Sequence, residues 1–364
     1  MEQHLDKYKS FFKHFLSLVN PADQLPVKIT ICNIKKLEVI GSILDWILQY
    51  LKSWNCPDSL ITPLAKIILD EVKPILKTSE CPYYSQELEV YSSLQLMQYV
   101  ISKIQEICPR YLEDEQILSL SVPNQEHYIS VFATKNRRRY MEDCHVIIRD
   151  LQKLFNIKDI GCINYYAIFD GHNGSGAAAY AAAHLHQFLA ESPFYPMHPE
   201  QALCEAFKAT DKHLLEKEDS QMAKSGTTAV CILWHQTEKM LYSAWVGDSE
   251  AILVKKGHIF RLVEPHKANR TDEQDRIKNM GGAVIFWCTV WRVNGQLAIT
   301  RAIGDSEHKS CIISTPDVGS LQLEGDEDFI ILACDGLWDC VEYTEAAQLV
   351  YEHVVSSPGK KKKY

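Results

Sequence analysis

The sequence predicts an α+β chain, a helical N-terminal region followed by a mixed domain of strands and helices. Two observations carry this. Apolar residues recur at three-and-four spacing up to about residue 120, which is the period of amphipathic helices. From about residue 126 the period changes, and short β-branched and aromatic runs alternate with helix-like stretches. At 364 residues, 46% hydrophobic and 23% charged, the chain has room and composition for one large or two ordinary globular domains.

The helical region is justified in order. Phe11, Phe12, Phe15, Leu16 and Val19 form a first stripe that stops near Asn20-Pro21, because proline cannot continue a helix. Leu37, Ile40, Ile43, Leu44, Ile47, Leu48 and Leu51 form a second. Leu60, Leu64, Ile67, Ile68, Val72, Ile75 and Leu76 form a third, and Tyr91, Leu94, Leu96, Tyr99, Val100 and Ile104 a fourth. Such stripes read first as bundle core and second as a partner groove. Cys108 to Val122, with Pro109 and the acidic Glu113-Asp114-Glu115, reads as a linker.

The expected strands follow: Tyr128 to Phe132, Tyr165 to Phe169, Thr227 to Trp234, Met240 to Val246, Ala251 to Val254 and Phe329 to Cys334. Helices are expected over 174–190 and 199–217. Gly247-Asp248-Ser249-Glu250 between two strand runs reads as a hairpin turn. The expected division is 1–122 helical, 123–356 mixed, and 357–364 a lysine-rich tail.

Composition excludes some classes. The formal charge of -9 argues against a general nucleic-acid binder, which carries a basic field. No apolar run reaches the ~18 residues of a membrane span, and the first residues have no apolar signal core. The expected partners therefore include neither nucleic acid nor membrane. Lys360 to Lys363 read as a solvated tail. The twelve cysteines are scattered without a Cys-x-x-Cys pair. They read as reduced core residues of a cytoplasmic or nuclear protein.

The chemistry concentrates in carboxylates. Asp170-Gly171-His172 directly follows the run ending at Phe169, and Asp335-Gly336 directly follows the run ending at Cys334. Glu142-Asp143 and Asp248 also flank strand-like segments. Each aspartate alone reads as a turn residue or helix cap. Together they read as oxygen ligands for hard divalent cations, Mg²⁺ or Mn²⁺ rather than structural Zn²⁺, as expected of a metal-dependent hydrolase. His172 beside a metal carboxylate is placed to give a proton to a leaving oxygen. Arg138 reads either as a surface charge within Arg137-Arg138-Arg139 or as a bidentate phosphate partner.

These segments resemble the metal-dependent serine/threonine protein phosphatases of the 2C type. The matching blocks are Arg138-x-x-Met141-Glu142-Asp143, Phe169 to Gly174, Ser225-Gly226-Thr227-Thr228-Ala229, Val246-Gly247-Asp248-Ser249, Gly281-Gly282, Arg292 to Gly295, Thr300 to Asp305 and Ala333 to Asp339. They stand in family order. Glu264-Pro265-His266, Trp291 to Gly295 and the Tyr180…His184-Leu185-His186 stretch are similar to the calmodulin-kinase phosphatase branch, which also carries a helical N-terminal region.

The resemblance implies a β-sandwich flanked by helices and two metals bridged by Asp170. Gly171 would offer its carbonyl and Asp335 would bind the second metal. Glu142 and Asp143 would act through metal waters, and Asp248 and Asp339 would serve a third, weaker position. Arg138 would bind the substrate phosphate, His172 would be the general acid, and a metal-bound hydroxide would attack phosphorus. It implies phosphoprotein substrates, protein kinases among the candidates, and leaves the partner of the helical domain unnamed.

Two departures stand out. Asn173 replaces a usual glycine, and asparagine tolerates a left-handed backbone. No Asp-Asn pair follows Asp335 before Tyr364, where the family has one. The expectation is a fold short of its last strands and a second metal short of one ligand. Weakened activity follows, or a catalytically impaired relative that binds partners through its helical domain.

Overall fold

The computed structural model describes residues 2–20, 25–77, 81–113, 127–158, 161–217 and 220–356. The linker boundary expected at 122 and the lysine tail lie outside them. Helices and strands are numbered below in chain order. Two compact units divide the chain: residues 1–132 with 149–159, and residues 133–148 with 160–364.

The first unit has the four expected helices, α1 (Glu2–Leu18), α2 (Val39–Ser53), α3 (Asp58–Leu76) and α4 (Ser93–Ile107), and a short α5 (Arg110–Glu113) where a linker was expected. Helices α2, α3 and α4 pack pairwise. Their stripes, with Phe12 and Phe15, supply Ile43, Leu44, Ile47, Leu51, Leu60, Leu64, Ile68, Leu96, Val100 and Ile104, all at 0% exposure. Phe15 meets Trp54 edge-on at 5.1 Å.

Three further details of this unit differ from the sequence reading. A small sheet, β1 (Asn33–Lys35), β2 (Tyr84–Ser85) and β3 (Val90–Ser92), accompanies the helices in the order β1-β3-β2. Tyr91 therefore lies in a strand, and α4 begins after it and leaves Leu94 55% exposed. Its buried stripe instead runs through Leu96, Met97, Val100, Ile101 and Ile104. Residues 128–132 form no strand. Tyr128 and Phe132 are exposed, and β propensity is expressed only on a surface that buries one face.

The second unit is a β-sandwich. Strands β4 (Cys144–Ile148), β5 (Ile163–Phe169), β8 (Ala229–His235), β9 (Met240–Val246) and β15 (Asp317–Gln322) form one antiparallel sheet in the order β15-β9-β8-β5-β4. Strands β10 (Glu250–Lys255), β11 (His258–Arg261) and β16 (Glu327–Ala333) form a second, ordered β11-β10-β16. Period-two residues of the two sheets meet in one core: Ile168, Val230, Ile232, Leu241 and Trp245 against Ala251, Leu253, Ile330 and Leu332.

Helices cover both outer faces. Helices α7 (Gly176–Ala190) and α8 (Pro199–Leu215) pack on the larger sheet, whose outward residues Tyr165, Ala167, Phe169, Cys231 and Leu233 are buried. Helix α12 (Tyr343–Ser356), with Trp338 of the short α11 (Asp335–Trp338), covers Ile252, Val254 and Ile331 of the smaller sheet. Helices α9 (Ser220–Lys224) and α10 (Thr271–Asn279), and the ribbon of β12 (Val284–Trp287) and β13 (Val290–Val293), complete this unit with the elements of the next subsection. Helix α6 (Leu151–Leu154) belongs to the first unit. Its Leu151 and Leu154 are buried and it packs on α3.

The expected hairpin across Gly247 to Glu250 is corrected. Strands β9 and β10 lie in different sheets, and β10 pairs instead with β11 and β16. Gly247 sits at φ +87°, and a Cβ there would meet Thr228 Cγ2 at 2.6 Å. That turn carries the chain from one sheet of the sandwich to the other, so Asp248 is delivered to its rim. All twelve cysteines are free, and no helix among the described residues is long and apolar enough to cross a membrane.

Candidate metal centre

The site is built at one rim of the sandwich. Asp170 follows the last residue of β5, in one sheet, and Asp335 follows Cys334 at the end of β16, in the other. Ligand atoms of Asp170, Cys334 and Asp335 all lie within 4.8 Å of one another. The backbone of Asp170 is pinned by the next strand. Thr228 N–H and Thr227 Oγ1 donate to its carbonyl at 3.0 and 3.1 Å. The Thr227-Thr228 pair of the sequence block is thus the support of the carboxylate.

Gly171 is required by a close approach. A Cβ there would lie 2.5 Å from the carbonyl oxygen of Glu142. The same approach lets Glu142 Oε1 accept from Gly174 N–H at 3.1 Å. Asp143 Oδ2 lies 3.6 Å from the thiol of Cys334. Asn173 takes φ +57°, which is the left-handed conformation its side chain tolerates.

Electrostatics define what the cluster wants. Burial pushes the Asp170 carboxyl up to about 8, and Asp335, Asp143 and Asp248 add to it. Burial, then Asp335, pushes Asp248 up to about 6. Like charges this close resist joint ionisation, and a divalent cation relieves both causes at once. Burial, then Asp170 and Asp143, holds the Cys334 thiol near 12. It stays protonated, and the donor set is oxygen. The residues fit hard cations of the Mg²⁺ or Mn²⁺ kind.

Two residues on the sequence list stand apart from this core. Asp339 is ion-paired with Lys267 at 3.0 Å and is 58% exposed; Lys267 also lowers Asp248. Arg138 is exposed, its N–H closing a turn on Lys135 O at 2.8 Å. Its guanidinium makes no hydrogen bond or ion pair among the described residues.

His172 has a partner that the sequence did not single out. Its Nε2 lies 3.0 and 2.8 Å from the two oxygens of Asp305, which is completely buried. Strands β6 (Gly171–His172), β7 (Gly226–Thr227) and β14 (Ile303–Gly304) form a small antiparallel sheet in the order β14-β7-β6. Ile303-Gly304-Asp305 repeats the apolar-Gly-Asp composition of the metal strands, and that was the available signal. Lys267 had none, because only the fold brings it to Asp339.

Known proteins resemble this chain over most of its length. The protein phosphatase 2C family model matches residues 128–362. Human protein phosphatase 1E is 41% identical over 333 residues, covering 90% of this chain and 43% of that protein. Human protein phosphatase 1F is 35% identical over 367 residues, covering 96% of this chain and 79% of that protein. The chain thus spans less than half the length of protein phosphatase 1E. A solved structure of a C. elegans sex determining protein superposes with a TM-score of 0.75 at 24% identity, covering 91% of this chain and 82% of that one. At that identity the likeness concerns the fold. A sandwich with a carboxylate rim, matched over most of its length by the family model, makes this chain a member of the protein phosphatase 2C family.

Proposed function

We propose that this chain is a metal-dependent protein serine/threonine phosphatase. The observation that carries the reading is the convergence of Asp170 and Asp335 from two different sheets into one half-buried, like-charged pair. Asp170, the Gly171 carbonyl and Asp335 would hold two divalent cations, Mn²⁺ or Mg²⁺. Glu142 and Asp143 would hold their waters, and Asp248 with Asp339 a third. Bound there, the cations would neutralise the carboxylates and would supply activated water for attack on phosphorus. Arg138, exposed and uncommitted, would bind the phosphate of the incoming phosphoserine or phosphothreonine. His172 would hand a proton to the departing oxygen.

The substrate class is phosphoproteins. The blocks at Glu264 to His266 and Trp291 to Gly295 support the calmodulin-kinase phosphatase branch, with protein kinases as candidate substrates in the cytoplasm or nucleus. The first unit, with its own core, is the candidate partner-binding part.

Hydrolysis of a phosphoserine peptide with Mn²⁺ or Mg²⁺, against excess chelator and against Asp170→Asn, tests the reading. Activity should need the metal and vanish in the variant. Turnover in chelator, or undiminished turnover by Asp170→Asn, would sink it. Thermal stability gives a second readout. Saturating Mn²⁺ at ~100 times its Kd should add ~2.7 kcal/mol to the wild type and clearly less to Asp170→Asn.

A further inference from the structure

The pair of His172 with Asp305 goes beyond the metal centre. It is assembled by the small sheet, in which Gly226 pairs with His172 on one side and with Gly304 on the other. Gly226 is the clearance between the two side chains. A Cβ there would lie 2.3 Å from Asp305 Oδ2 and 2.3 Å from His172 Nε2.

Asp305 itself is held in an uncommon conformation, at φ +53°. Its N–H donates to Ser225 O at 2.9 Å and its carbonyl accepts from His308 N–H at 2.8 Å. The preceding Gly304 donates to Asp211 Oδ1 at 2.8 Å, and Asp211 pairs with Lys309 at 2.7 Å. A left-handed aspartate, with its carboxylate completely buried and turned onto one imidazole, is costly unless the neighbouring structure enforces it. The flanking lysine is committed to Asp211, and both Asp305 oxygens face the ring.

We propose that Asp305 is a positioning residue for His172. It fixes the imidazole with Nε2–H toward the protein and leaves Nδ1 as the nitrogen that meets substrate. A carboxylate only accepts, so the ring nitrogen facing it carries the hydrogen. As the general acid the ring acts in its imidazolium form, with the second hydrogen on Nδ1, and that proton passes to the departing oxygen when the phosphorus–oxygen bond breaks. The ring is left neutral, with its Nε2–H still on Asp305. This rests on the phosphatase reading for its kinetics but not for its geometry.

The test has two arms, with Asp305→Ala and the milder Asp305→Asn. Nitrogen-15 imidazole spectra, taken where the ring is neutral, should show His172 as the Nε2–H tautomer in the wild type and as a mixture in Asp305→Ala. Kinetically, Asp305→Ala should lower kcat for a phosphoserine peptide about 10- to 100-fold, part of the ~10²–10⁴ of a general acid. Its KM should hold within about twofold, and an activated aryl phosphate should be nearly unaffected, because a good leaving group needs no proton. Added to His172→Gln, it should cost nothing more, since both changes remove one function.

An Nδ1–H wild type, or spectra unchanged by both variants, would overturn the proposal. So would equal slowing of both substrates, or losses that multiply with His172→Gln. If His172→Gln itself slows both substrates alike, or the wild type has no turnover, the phosphatase reading fails instead and the spectra still decide Asp305.

Discussion

Replacing Glu273 by Gln should destabilise the second unit by about 3 kcal/mol, at the low end of what breaking a buried ion pair costs. Glu273 is 1% exposed. Its Oε1 accepts from Arg301 Nε and Nη2 at 3.1 and 2.7 Å, and its Oε2 from Arg276 Nη2 at 2.8 Å. Removing one partner leaves charge in a poor solvent, which is worth about 3–5 kcal/mol. The residual partners select the low end. Arg301 keeps Asp317 at 2.7 Å and the Thr315 carbonyl at 3.0 Å. Arg276 keeps the carbonyls of Cys311 and Thr300 at 2.8 and 2.9 Å.

At about 2–4 °C per kcal/mol for a domain of ~200 residues, the melting temperature should fall by ~6–12 °C. Circular dichroism melts at neutral pH measure it, with Asp272→Asn as control. Asp272 pairs with Arg270 but is 61% exposed, so its loss should stay within about 0.5 kcal/mol. The pH dependence follows from the same contacts. Burial alone would raise Glu273, but the hydrogen bonds from Arg301 and Arg276 hold it down to about 2 from 4.5. A carboxyl held below its unfolded value stabilises the fold above that value and loses the contribution as pH falls through the folded one. The gap between wild type and Glu273→Gln should therefore be full above 4.5 and close as the pH drops toward 2. A melt of Glu273→Gln within ~2 °C of wild type, about half a kcal/mol to 1 kcal/mol, would refute the reasoning.

Other outcomes are specific. Arg138→Ala should raise KM for a phosphopeptide more than it lowers kcat, because a phosphate clamp holds ground and transition states alike; steady-state kinetics showing a kcat loss at unchanged KM would contradict it. Tyr343→Phe should cost about 1.5–3 kcal/mol in denaturant unfolding, the worth of a hydrogen bond to a charged group, since its hydroxyl donates to the buried Glu250 Oε2 at 2.6 Å. Gly247→Ala should cost more than ~1 kcal/mol from its positive φ alone, and the 2.6 Å approach to Thr228 adds to that; an unchanged unfolding midpoint would show that the turn relaxes freely.

Helices α1 to α4, α7 and α8 and strands β5, β8, β9, β10 and β16 were legible in the chain, as were the carboxylates Asp170 and Asp335. Stripes such as Leu60 to Leu76, and runs such as Tyr165 to Phe169, carry a local period, and local period is set by neighbours a few residues away. Asp170 and Asp335 were legible because each is a charge directly after an apolar run, followed by glycine. Which elements face each other was settled instead by packing across the whole domain. The turn at Gly247 looked like a hairpin because its composition suits one, yet it joins two sheets, and no local signal distinguishes those outcomes. Tyr128 to Phe132 has strand composition without a sheet to complete it. Asp305 and Lys267 acquire their partners, His172 and Asp339, across 133 and 72 residues of chain. Contacts at such separation are fixed by the packing of the sandwich as a whole, so the chemistry of the carboxylates was written locally and their neighbours were not.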